Sequence, residues 1–151
     1  METTELNAFS REVAERLFER FPEWRPYARV EENGDETGIL YVEIPPPSGA
    51  NLANPLHIVT ANDEVEVGFD CYHNLFELLV DTGETVQQAV DFILDILEER
   101  VVSVSWWSGT SVRESRCEKS GVQPEDSEHV QPYNLVRIRS WKGRYDQDVH
   151  T

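Results

Sequence analysis

Basic residues are few in this sequence and absent from its centre. The 151 residues include 13 Lys and Arg against 29 Asp and Glu, which gives a formal net charge of −16. Between Arg29 and Arg100 there is no Lys or Arg, and this interval carries 16 of the acidic residues. Acidic and basic residues balance in the rest of the chain, so the whole excess lies in one central block.

The negative electrostatic field of such a chain repels phosphates and anionic lipid headgroups, which argues against a nucleic-acid or membrane partner. It attracts a basic protein and accelerates the encounter between the two. The charge pattern therefore predicts a basic protein partner. General solubility is the alternative explanation for the acidity.

Cysteine and long apolar runs are also scarce. Cys71 and Cys117 are the two cysteines, and their spacing matches no metal or redox motif. Free thiols are typical of a reducing compartment, although a Cys71–Cys117 disulfide stays open as an alternative. No run approaches the roughly 18 apolar residues of a membrane span, and charges occur throughout residues 1–20. We therefore expect a cytoplasmic protein without a signal peptide.

The sequence contains none of the strong catalytic motifs. GxxxxGK[ST], GxGxxG, GxSxG and HExxH are all absent, and no cofactor or metal is predicted. One local alternative is a small hydrolase-type enzyme centred on His73, Asp70 and Glu77, in which the imidazole acts as a general base. A second alternative is a metal site that adds His57 to these three residues.

The periodicity of apolar residues predicts an α+β domain with a mostly antiparallel sheet of about six strands. An N-terminal helix and one long central helix pack on this sheet. The helices are predicted at 3–21 and 85–100, with a short helical turn near 73–79. The strands are predicted at 27–32, 38–44, 56–60, 64–72, 101–107 and 135–141, with 108–116 as a possible further strand and 118–131 as a loop. The length fits a single domain, 1–151, with a frayed tail at about 144–151.

Strand 64–72 alternates between an apolar face and an acidic face. The apolar face carries Val65, Val67, Phe69 and Cys71, and the other face carries Glu64, Glu66, Gly68, Asp70 and Tyr72. We expect the carboxylates of the second face to contact the basic partner.

The central helix and a tryptophan pair provide further candidate contacts. Adjacent strand residues point to opposite faces, so one indole of the Trp106-Trp107 pair can enter the core and leave the other as an interface anchor. The alternative is that a second layer of the fold covers both indoles. The predicted partner-binding residues are Glu64, Glu66, Asp70, His73, Asp91, Asp95, Glu98, Glu99, Trp106 and Trp107.

Three stretches resemble a known group of proteins. They are residues 63–73 (DEVEVGFDCYH) followed by Phe76-Glu77, a helix rich in Ala, Ile and Glu, and residues 137–143 (RIRSWKG). Together they are similar to the small bacterial immunity proteins encoded beside polymorphic or contact-dependent toxins. The resemblance implies a cytosolic antidote that binds a basic toxin domain, often a nuclease, and blocks it. It implies no catalytic residues. A homo-oligomeric adaptor, such as a homodimer, is the remaining alternative.

Overall fold

The computed structural model describes residues 1–78, 81–124 and 132–151, and the chain folds into two compact units. The first unit comprises Met1–Pro45, Leu56–Gly68 and His73–Ile93, and the second comprises Pro46–Pro55, Phe69–Tyr72 and Leu94–Thr151. The fold is α+β and both of its sheets are antiparallel. The prediction of one sheet of about six strands is wrong, because the described residues form sheets of five and four strands. The single-domain assignment stays a prediction.

Five strands form the sheet of the first unit, in the order β1-β2-β3-β4-β5. They are β1 (Ala28–Asn33), β2 (Glu36–Ile44), β3 (Leu56–Ala61), β4 (Glu64–Phe69) and β5 (Tyr72–Glu77). The turn between β3 and β4 consists of Asn62 and Asp63, which have φ values of 54° and 56°. Two residues at positive φ form the hairpin turn whose twist matches that of the flanking strands.

The two faces of this sheet differ in polarity because side chains alternate along each strand. Leu40, Val42, Leu56, Ile58, Val65 and Val67 are buried on one face. Residues of the opposite parity, such as Tyr41 in β2, Val59 in β3 and Glu66 in β4, are half-buried and lie side by side in the strand register. We call this second side of the five-stranded sheet the outer face.

Helix α1 spans Ala8–Arg20 and packs on the buried side of the sheet. Its N-cap is Asn7, because the Asn7 side chain accepts a hydrogen bond from the Ser10 amide (2.8 Å). The helix therefore begins five residues after the start of the predicted range of 3–21. The Ser10 and Thr60 hydroxyls form a buried hydrogen bond of 2.5 Å between α1 and β3. Short 3₁₀ helices, Thr3–Glu5 and Pro22–Tyr27, lie on either side of α1.

Helix α2 spans Thr82–Leu97 and therefore begins and ends three residues before the predicted range of 85–100. The Asp81 carboxylate caps its start by accepting a hydrogen bond from the Glu84 amide (2.9 Å). Thr85, the first residue of the predicted range, is buried one turn inside the helix, and its hydroxyl donates to the Asp81 and Glu77 carbonyl oxygens.

The short helical turn predicted near 73–79 is wrong, because this segment contains β5. Asp70 and Cys71 form a tight turn, and Asp70 has a φ of 55°. The turn reverses the chain and makes β5 the neighbour of β4 in the sheet. Residue 79 itself lies outside the described residues.

Four strands form the sheet of the second unit, in the order β7-β6-β8-β9. They are β6 (Val101–Ser108), β7 (Ser111–Lys119), β8 (Leu135–Arg139) and β9 (Gln147–His150). Strand β9 pairs with β8, so the tail expected to fray at 144–151 includes an ordered edge strand. β7 extends into the loop predicted at 118–131, and residues 125–131 of that loop lie outside the described residues.

Gly38 lies in β2 where the backbone passes the start of α1. A Cβ atom at this position would be 2.4 Å from the Asn7 amide nitrogen and 2.8 Å from the Glu5 carbonyl oxygen. The Gly38 carbonyl also accepts a hydrogen bond from the Asn7 amide (2.9 Å), and its φ is +69°. The contact between α1 and β2 therefore requires a residue without a side chain.

We expect Gly38→Ala to lower the free energy of unfolding by about 2–4 kcal/mol, because the methyl group meets backbone atoms that cannot move independently. Gly34→Ala is the matched control. Gly34 has a similar φ of +61° but has no atom within 4 Å of the Cβ position. The Gly34→Ala substitution should lower the free energy of unfolding by only about 1 kcal/mol, from backbone strain alone. Urea titration followed by circular dichroism measures both, and equal losses would contradict the steric explanation.

Candidate functional site

The ten residues predicted to bind a partner are divided between the two units. Glu64, Glu66, His73 and Asp91 belong to the first unit, and Asp70, Asp95, Glu98, Glu99, Trp106 and Trp107 belong to the second. The central acidic block of the sequence is therefore not one surface of one unit.

Glu66 lies on the outer face of the first unit, in β4, between two histidines. The His57 Nε2 atom is 3.7 Å from Glu66 Oε2, and the His73 Nε2 atom is 3.9 Å from Glu66 Oε1. The Glu66 side chain is 31% exposed and the His73 side chain 61% exposed. Each carboxylate oxygen thus has an imidazole beside it, and the group remains accessible to a partner.

Tyr41 and Glu43 of β2 extend this polar surface. The Tyr41 hydroxyl donates a hydrogen bond to Glu43 Oε1 (3.2 Å), and partial burial, reinforced by Glu43, raises the Tyr41 pKa. The Arg29 guanidinium lies 4.0 Å from the centre of the Tyr41 ring and pairs with Glu31. Arg29 is the only Lys or Arg in the five strands of this sheet.

Tyr41 and Glu43 were missed by the sequence reasoning, although the signal was present. The alternation in residues 38–44 is weaker than in strand 64–72, because Glu43 is the one charged side chain there, but Tyr41 and Glu43 are two residues apart and share a face. The register places Tyr41 beside Val59 and Val59 beside Glu66. In β5, Leu75 lies two residues after His73 and is 50% exposed. The outer face therefore combines carboxylates, imidazoles, a tyrosine and an exposed leucine.

Asp70 does not belong to the acidic surface predicted for strand 64–72. β4 ends at Phe69, and the turn that follows buries the Asp70 side chain to 3% exposure. Its carboxylate accepts hydrogen bonds of 2.8 Å from the Ser103 hydroxyl and from the Ala53 amide. Asn54 also donates to the Asp70 carbonyl oxygen (2.7 Å). Asp70 therefore anchors a loop of the second unit to β6 and is not available to a partner.

Glu99 is likewise a structural residue. It is 7% exposed and has a φ of 57°, and it occupies the position after α2 where glycine is usual. The amides of Glu99 and Arg100 bond to the Ile96 and Asp95 carbonyls, which completes this helix ending. The carboxylate explains why the residue is not glycine, because it accepts bonds from the Ser140 hydroxyl (2.5 Å) and the Arg144 amide (3.0 Å).

Asp95, near the end of α2, and Glu98, just after it, both pair with one neighbouring arginine. Arg100 Nε lies 2.6 Å from Asp95 Oδ1, and the Arg100 guanidinium also pairs with Glu98. These side chains line a cleft of about 530 Å³ in the second unit, together with Lys119 and Tyr145. A basic partner would compete with Arg100 for both carboxylates. Asp91, in the first unit, is exposed and accepts a hydrogen bond from Gln87 (2.9 Å).

The tryptophan pair divides as adjacent strand residues should. Trp106 is 1% exposed and packs with Val102, Val104, Val136 and Ile138 in the core of the second unit, so it is not a surface anchor. Trp107 is half-buried on the other face of β6, where its indole N–H donates to the Ser105 hydroxyl (2.8 Å). The Arg137 guanidinium lies 4.9 Å from the centre of the Trp107 ring.

The contacts of Asp70 and His73 do not favour the hydrolase alternative, in which these residues would form a catalytic site with Glu77. Both carboxylate oxygens of Asp70 already accept hydrogen bonds, and His73 is an exposed residue beside Glu66. Among residues 1–78, 81–124 and 132–151, no group of three or more His, Cys, Asp or Glu side chains is arranged to hold a metal ion.

Both cysteines are free thiols, which decides against the Cys71–Cys117 disulfide left open above. Burial, followed by the Glu118 and Asp95 carboxylates, raises the pKa of Cys117 to about 12. Burial and then the Asp70 carboxylate also raise the pKa of Cys71. The thiolate is the reactive form of cysteine, so neither side chain is an activated nucleophile.

Comparison with known proteins gives no relative: no protein-family model, curated protein sequence or solved structure matches the chain. Within the described part of the chain, no helix has both the length and the apolar character needed to cross a membrane.

We expect Glu99→Ala to lower the free energy of unfolding by about 2–3 kcal/mol, because it leaves the Ser140 hydroxyl and the Arg144 amide without their buried charged acceptor. Glu98→Ala is the matched control, since it removes an adjacent glutamate that is 57% exposed. It should change stability by no more than about 0.5 kcal/mol. Chemical denaturation distinguishes the two, and similar losses would contradict the anchoring role.

We expect Cys117 to react with iodoacetamide at pH 8 at least about tenfold more slowly in the folded chain than in urea, because its raised pKa keeps the thiol protonated. The rate should rise as the pH is increased toward 10. Mass spectrometry of the peptide that contains Cys117 measures the rate. Alkylation equally fast in the folded and unfolded chains would show that the thiol is neither buried nor electrostatically suppressed.

Proposed function

We propose that this chain is an acidic protein-binding module of the bacterial cytoplasm. It neutralises a basic, nuclease-like toxin domain by binding it directly, as an immunity protein does. The outer face of the five-stranded sheet is the surface that makes the contact. The observation that carries the proposal is the composition of this face, which is rich in carboxylates and contains one arginine in five strands.

Electrostatic complementarity supports this choice of partner. A surface that holds nucleic acid is rich in Lys and Arg, and an array of carboxylates offers those side chains an alternative ligand. The net charge of −16 steers a basic protein toward the chain from beyond contact distance. Long-range attraction of this kind mainly increases the association rate. Because salt screens the charges, the association rate should fall as the salt concentration rises.

The outer face also offers more than charge. Leu75 and the half-buried Val59 provide apolar area, and Tyr41 adds an aromatic side chain of a kind enriched at binding hot spots. Apolar contacts of this type slow dissociation, whereas the surrounding carboxylates accelerate association. The proposed contact therefore centres on Glu66 and extends to Glu43, Glu64 and His73.

Other predicted contacts are left out of the proposal because they are engaged inside the second unit. Asp70 and Glu99 are buried acceptors, and Trp106 belongs to a hydrophobic core. Asp95 and Glu98 already pair with Arg100. Of the two tryptophans predicted as anchors, Trp107 keeps partial exposure and Trp106 does not.

Growth rescue tests the proposal directly. The genes beside this one should encode a secreted protein that ends in a basic toxin domain, and expression of that domain should stop growth of a host cell. Co-expression of this chain should restore growth. The double variant Glu64→Gln, Glu66→Gln should weaken the affinity for the toxin domain roughly tenfold, because each lost ion pair contributes about 0.5–1 kcal/mol.

The matched control is Glu15→Gln, Glu19→Gln, which removes the same charge from exposed positions on α1 in the same unit. It should leave the affinity within about twofold, apart from the general loss of steering charge. Surface plasmon resonance at two salt concentrations measures both rates. Equal weakening by the two double variants would exclude the outer face as the contact. A homodimer without affinity for the neighbouring toxin domain would favour the adaptor alternative.

A further inference from the structure

We infer that His57 and His73 make the outer face sensitive to pH, so that acidification weakens its hold on a basic partner. This inference rests on the proposed function, because it concerns the regulation of the same surface. Its physical basis is the position of two imidazoles, one beside each oxygen of the Glu66 carboxylate.

The geometry makes Glu66 the group on which protonation acts. At 3.7 and 3.9 Å, each imidazole Nε2 is within ion-pair distance of a different Glu66 oxygen. An imidazole ordinarily changes charge between pH 5 and 8. Once protonated, each becomes a cation held against the carboxylate that the partner would otherwise engage. The chain then competes with its partner for Glu66.

The groups around the two imidazoles do not offset this change. The register places Glu43 of β2 directly beside His57, and Tyr41 is bonded to Glu43. The other charged side chains of the five strands on or next to the outer face are Arg29, Glu31, Glu64 and Glu77. Imidazole is the side-chain type that ordinarily changes charge near neutral pH, whereas carboxylates, guanidinium groups and phenols ordinarily do not.

The size of the effect follows from the exposure of the pairs. His57 is 23% exposed and His73 is 61% exposed, so solvent screens the two new charges unequally and His57 should contribute more. Two partly screened ion pairs correspond to a roughly three- to tenfold change in affinity.

Fluorescence anisotropy with a labelled octalysine peptide tests the inference at constant ionic strength. The wild-type chain should bind this probe roughly three- to tenfold more weakly at pH 5.5 than at pH 7.5. The double variant His57→Gln, His73→Gln should reduce the difference to less than about twofold. His150→Gln, in the second unit, should retain the wild-type difference, because it changes a histidine that does not belong to the five-stranded sheet.

The probe separates failure of the inference from failure of the proposed function. Octalysine binding at pH 7.5 that is weakened by Glu64→Gln, Glu66→Gln supports the docking surface. An unchanged pH ratio in the double histidine variant would then overturn the pH inference alone. If the glutamine substitutions at 64 and 66 leave binding at pH 7.5 unaffected, the docking surface fails and the inference fails with it. The single variant His73→Gln, at an exposed position, should show an intermediate pH ratio and provides the same test if the double variant does not fold.

Discussion

Alternation of side chains along β2, β3 and β4 is the constraint on which the proposed binding surface depends. Every second residue of these strands, such as Val42, Ile58 and Val67, lies in the core. Burial of each such side chain stabilises the folded chain by about 1.5–3 kcal/mol. A shift of register by one residue would expose them and bury glutamates, so the register is strongly specified. The same alternation places Glu66 on the outer face. Side chains on this face are not buried in the core, so charged residues are tolerated there.

Carboxylates of one central block have opposite roles in the folded chain. Asp70 and Glu99 are buried, and both are held at positive φ by the backbone around them. A buried charge is tolerated when hydrogen bonds replace its hydration, and each of these carboxylates accepts two. Glu66 remains partly hydrated and is available for exchange with another cation. Charge alone therefore does not identify a binding residue, because the number of hydrogen bonds already made decides whether a carboxylate is free.

Gathering like charges on one face raises the energy of the free protein, and a basic partner relieves it. The arginine over Tyr41 shows that the face already accommodates a cation of its own chain. Affinity for an external cation is thus a competition between intramolecular and intermolecular pairs. That competition is electrostatic, so it responds to ionic strength and to the protonation of the imidazoles.

The amino-acid sequence by itself determined the α+β class, the strand parity around Val65 and Val67, and the division of the tryptophan pair, because periodicity is a local property of the chain. It did not determine the second sheet, the strand β5 or the burial of Asp70. Strand β5 follows a turn at Asp70, and the burial of Asp70 involves a hydrogen bond from Ser103, which lies 33 residues away. The second sheet depends on the pairing of β6 with β7 and β8. Only the tertiary structure brought His57 and His73 to the same glutamate, since the register of β4 with its neighbours β3 and β5, and not spacing along the chain, decides which side chains become neighbours.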